Sequence, residues 1–184
     1  FTLQRPVTLP PSLQYMEVRV IGAGIIDVQQ PWIEGLSTAL IIYSKGPLTA
    51  GSTLPDLLNS GGILVIERKR LPSFDKSIED ALQQRGEIGV TRTTTVNGSV
   101  ITSVQTGAIE AATINGNTGL YTTTPPPYAH VNQSNLKWAD KQATMEIVAG
   151  SNYYTMKDLI TIAESFTDVT AIKTTTNIIT TTIT

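Results

Sequence analysis

Hydrophobic and polar residues alternate over the first ten positions. Phe1, Leu3, Val7 and Leu9 fall on one side, Thr2, Gln4, Pro6, Thr8 and Pro10 on the other, and Arg5 breaks the apolar side. A period of two predicts a strand, and Pro6, which lacks an N–H, restricts that strand to an edge or a bulge. Pro10-Pro11 closes the arm at residue 11. Residues 17–28 and 37–43 read as strands, the second an almost continuous apolar run suited to a buried position. A helical turn over 54–58 ends at Gly61-Gly62. Residues 63–67 form another buried strand with Arg68, Lys69 and Arg70 at its end. Over 73–85 the spacing becomes helical: Phe74, Ile78, Ala81 and Leu82 share a face, and Gly86 stops the helix.

Asn97-Gly98 and Asn115-Gly116 are hairpin dipeptides suited to type I′ turns, and they divide residues 87–124 into an antiparallel meander with Thr-rich outer faces. Pro125-Pro126-Pro127 marks a surface loop. Trp138 and residues 143–148 supply the last core strands. Thr155-x-x-Asp158 is a capping box opening a helix whose apolar side carries Leu159, Ile162, Ala163 and Phe166. Residues 169–184 form a Thr/Ile tail without Gly or Pro. The pattern predicts an α+β fold: a mainly antiparallel, curved sheet packed by two helices. The chain divides into an extended arm (1–11), one folded domain (12–168) and a β-prone tail (169–184).

Composition sharpens this picture. The chain has 184 residues, enough for one domain that buries ~70% of its unfolded surface. Charged residues make up only 15%, and Thr, Ile and Val take their place, which favours a pleated surface. A net charge of −2 gives no electrostatic reason to expect nucleic acid as a partner. No run approaches the ~18 apolar residues of a membrane helix. With no cysteine there is no disulfide framework. The start at Phe1 rather than Met leads us to expect a removed leader and an extracellular or cell-surface location.

Trp138, the strand Met145-Glu146-Ile147-Val148, Tyr154 and the run Met156-Lys157-Asp158-Leu159-Ile160-Thr161-Ile162-Ala163-Glu164-Ser165 resemble an uncharacterised bacterial domain family. It occurs in extracytoplasmic parts of anti-sigma factors and sporulation lipoproteins and is similar in fold to lipoprotein carriers. The resemblance spans roughly the last quarter of the folded body. It implies a curved antiparallel sheet wrapped on helices, an envelope location and no known enzymatic activity.

Residues that could carry catalysis are few. Val20-Ile21-Gly22-Ala23-Gly24-Ile25-Ile26-Asp27 resembles the start of a dinucleotide fingerprint, but Asp27 replaces the third glycine and Pro31 falls where a helix should run. His130 is the only histidine, so a His/Cys zinc site is excluded and a catalytic triad would depend on it alone. Glu79-Asp80 occupy adjacent helical positions and point apart. Arg68-Lys69-Arg70 reads as a solubilised strand end. Neither a catalytic residue, a metal nor a cofactor is expected. Asn97-Gly98-Ser99 and Asn132-Gln133-Ser134 are glycosylation sequons, so glycans at Asn97 and Asn132 accompany the expectation of export.

Two functions fit these features. In the first, the chain is a non-enzymatic subunit of an extracellular filament or pilus. Its arm donates Phe1, Leu3, Val7 and Leu9 to a neighbour's sheet, giving a homopolymer like donor-strand fibres. In the second, it is a monomeric envelope domain that binds a lipid, a peptide or a regulatory partner.

Overall fold

The computed structural model describes residues 4–21, 38–49, 51–83, 86–96, 99–124, 131–141 and 143–168. Its strands are β1 (Gln4–Pro6), β2 (Tyr15–Ile21), β3 (Thr38–Ser44), β4 (Ile63–Lys69), β5 (Gly86–Val96), β6 (Ser99–Ile114), β7 (Asn117–Thr124), β8 (Gln133–Ala139), β9 (Ala143–Gly150) and β10 (Phe166–Asp168). The helices are α1 (Leu54–Asn59), α2 (Pro72–Gln83) and α3 (Met156–Glu164). The protein is α+β. Eight strands form one open antiparallel sheet in the order β2-β3-β4-β9-β8-β7-β6-β5, and β1 pairs with β10 in a separate two-stranded sheet. After the β2-β3-β4 meander the chain crosses through α2 to the far edge, and β5 to β9 return strand by strand to meet β4.

Local chemistry sets the boundaries. Asn115 and Gly116 take φ of 47° and 79°, the left-handed pair that a type I′ turn between β6 and β7 requires. Residues 97–98 lie outside the described residues, but Val96 faces Ser99 in the register, as a two-residue loop demands. Thr53 opens α1 and Thr155 opens α3 with full capping boxes closed by Asp56 and Asp158. Phe166, expected on the apolar side of the last helix, instead opens β10. Helix α3 ends when the backbone N–H of Ser165 turns back to the helix's own carbonyls.

The largest buried cluster lies on one face of the sheet, while Ile42, Leu120 and Val148 are buried on the other. One cross-strand row runs Ile41, Val65, Ile147, Leu136, Tyr121, and all five belong to a single buried cluster with Leu159, Ile162 and Ala163 of α3. Tyr154, expected on the matching segment, is buried in that cluster and donates from its hydroxyl to the Gly61 carbonyl at 2.7 Å. Leu57 and Leu58 of α1 and Ile78 of α2 are buried as well, while Glu79 and Asp80 are exposed. No helix among the described residues is long and apolar enough to cross a membrane.

Candidate functional site

The next row of the same buried face contains a charge. Ala39, Glu67, Met145 and Trp138 lie side by side on β3, β4, β9 and β8, and Glu67 is fully buried. A carboxyl group withdrawn from water needs hydrogen-bond donors to offset its lost hydration. The arm supplies one: the backbone N–H of Gln4 donates to both Glu67 oxygens, at 3.1 and 3.0 Å. The Gln4 side-chain amide donates to Asp140 Oδ2 at 2.8 Å. The arm continues along β10, Pro6 opposite Phe166, with Val7 N–H bonded to the Ser165 carbonyl and Thr8 N–H to Ser165 Oγ. The Phe166 ring meets Trp138 edge to face, centroids 5.5 Å apart. Arm, helix end and sheet are thereby closed into one seam.

Tyr43 borders this seam with a buried hydroxyl that has no hydrogen-bond partner among the described residues. Burial pushes its ionisation far above the ordinary tyrosine value, the Glu67 charge adds to the rise, and Arg5 opposes it.

Beside the arm, an open cleft of about 480 Å³ lies between Thr8, Leu9, Ser12, Lys45, Tyr153 and the Asp158–Ile162 stretch of α3. The Tyr153 ring forms one wall, half-exposed at 51%, with its hydroxyl fixed on the Asn59 carbonyl at 2.6 Å.

The third feature is the β5–β6 ribbon. The two strands pair over their whole length from Gly86↔Ile109 to Val96↔Ser99, but β7 pairs only with Ile109–Ile114 of β6. At Ala108 the ladder to β7 ends, and its N–H turns to the Thr123 hydroxyl at 2.8 Å. Among the described residues only β5 pairs with residues 99–108, so this stretch runs on as a two-stranded ribbon roughly 30 Å long at ~3.3 Å per residue. Among the described residues no strand pairs with the outer edge of β5.

Of the residues expected to act as a donated strand, Phe1 and Leu3 lie outside the described residues. Val7 is exposed at 65%, and Leu9 packs half-buried on its own chain's core. The described hydrogen bonds of the arm run from Gln4 to Thr8 and are made largely through backbone N–H groups. Asn97 and His130, the glycine run from Gly22 onward, the triple proline and the tail 169–184 lie outside the described residues. Asn132 is exposed, but the hydroxyl of its sequon Ser134 is buried against the Tyr121 hydroxyl at 3.1 Å. In the basic cluster, Arg70 ties α2 to the β8–β9 turn through Asp75 and the Asp140 carbonyl. Among the described residues no group of three or more His, Asp or Glu is placed to hold a metal.

Comparison with protein-family models, with curated proteins and with solved structures finds no match for this chain.

Proposed function

We propose that this chain is a non-enzymatic, exported interaction domain of the cell envelope that adds an extended segment of a protein partner to its sheet at the outer edge of β5. The observation that carries the reading is the projecting ribbon. An isolated two-stranded hairpin is only marginally stable in water, and an edge of unpaired N–H and C=O groups is a template for another strand. Natural edges are usually blunted by proline, by inward charges or by shortness. Gly86–Val96 has eleven residues, no proline, one Glu and one Arg. The resemblance of Trp138, residues 145–148, Tyr154 and residues 156–165 to an extracytoplasmic family supports the envelope location.

The arm fits this reading better than strand donation. Its Gln4–Pro6 segment is paired within its own chain, and donation would first strand the buried Glu67 carboxyl without that N–H. A second reading keeps homopolymer formation but moves it to β5: every copy carries the same unblunted edge, so two copies could pair edge to edge.

The test is selection of a displayed random-peptide library on the full chain and on a variant with residues 88–107 replaced by a two-residue turn, alongside sedimentation velocity of both. The reading expects β-branched peptides enriched on the full chain and lost with the ribbon, and a monomeric full chain. Concentration-dependent association lost with the ribbon selects the second reading. Binding unchanged by removal of the ribbon rejects both.

A further inference from the structure

The cleft beside the arm carries an inference independent of the β5 edge: the geometry points to a binding site for a pyranose-type sugar, with Tyr153 as its stacking platform. Two glycines build that platform. A Cβ added at Gly61 would lie 3.1 Å from the Tyr153 ring, and one at Gly150 would lie 3.2 Å from it. The ring therefore sits directly over bare backbone at both positions, and its hydroxyl is held by the Asn59 carbonyl. It stays half-exposed. A rigid, exposed aromatic face loses little conformational freedom when a ligand covers it, and its negative quadrupole attracts the polarised C–H face of a sugar ring.

The rim supplies the rest. Thr8, Ser12 and Thr161 line the cleft with hydroxyls. Thr161 donates to the Lys157 carbonyl at 3.0 Å and so keeps its lone pairs for a ligand O–H. Asp158 uses Oδ2 for the helix cap and presents Oδ1 as an acceptor, while Lys45 supplies an ammonium donor. Donors and acceptors of both kinds around one apolar wall match a ligand that is hydroxylated along its rim and apolar on its faces. A proline-rich peptide would also use the ring, but it has few N–H donors and would leave the acceptors of Asp158 and the hydroxyls without partners.

The test is an NMR titration of the ¹⁵N-labelled full chain with chitotriose, with maltotriose and with decaproline. At least one sugar is expected to give saturable shifts confined to cleft residues, with Kd of about 1 mM or tighter. Tyr153→Ala should weaken binding by about tenfold or more, and Tyr153→Phe by less than about threefold. Ser12→Arg, at an exposed position that leaves the core untouched, should abolish it by filling the cleft. Absence of saturable shifts with both sugars overturns the inference. So does binding that persists in Ser12→Arg, or binding of decaproline alone.

Discussion

The β1–β10 seam joins three residue pairs, whereas the β5–β6 ribbon carries ten pairs beyond the reach of β7. The shorter pairing is the better anchored. Glu67 fixes the Gln4 N–H, Asp140 fixes its side chain, and the Phe166–Trp138 contact presses β10 on the core. The ribbon has more ladder bonds, yet among the described residues no strand covers its outer edge. Strand length is therefore a poor guide to where a sheet protein interacts: what decides is whether the edge has a partner inside the chain. The seam has one, and at the β5 edge none is found among the described residues.

Glu67→Ala removes a fully buried group and leaves the Gln4 N–H without this acceptor, so chemical denaturation should show a loss of roughly 3 kcal/mol. Phe166→Ala should cost about 2 kcal/mol and free the arm to limited proteolysis near Val7, because β10 loses its contact with Trp138. Tyr43→Phe acts in the opposite direction. It deletes a buried hydroxyl without a described partner and should raise stability by about 1 kcal/mol in the same assay.

A helix cap behind the seam gives a pH test. Hydrogen bonds from the Thr155 side chain and backbone hold Asp158 below its ordinary value of 3.8. The folded value is depressed, so this contribution is complete above the ordinary value and fades as pH falls through the lower, folded one. Thr155→Ala should cost about 1 kcal/mol near neutrality. As pH falls through the lowered folded value, where Asp158 takes up a proton, the difference between the variant and the parent should narrow. The smallest effect belongs to the ribbon: replacing residues 88–107 by a turn should change the unfolding free energy of the body by less than about 0.5 kcal/mol. A large loss would show that the ribbon belongs to the core.

Much of the fold was legible in residue patterns. Asn115-Gly116 and the two Thr-x-x-Asp boxes state their geometry locally, because turn and cap chemistry depends on neighbours in sequence. Phe166 was misplaced because helical spacing carries on past Ser165, whereas the helix stops where the backbone is drawn into pairing with β1. The seam was hidden for a related reason. The arm's alternation draws attention to Phe1, Leu3, Val7 and Leu9, but its grip runs through the Gln4 backbone and a glutamate 63 positions away. Residue type alone does not distinguish Glu67 from a solvated strand-end acid. One signal was available: Glu67 falls in phase with Ile63 and Val65, on the buried side of its strand. Tyr153 was missed similarly, since its platform depends on Gly61 and Gly150, which are far apart along the chain.

Amide hydrogen exchange on the full-length chain, read residue by residue, bears most directly on the account that the arm's strand is paired at home while the β5 edge stands open. Slow exchange at Gln4 and Val7, together with alternate slow and fast amides along Gly86–Val96, is the predicted result. Uniformly slow amides along β5, or rapid exchange at Gln4, would contradict it.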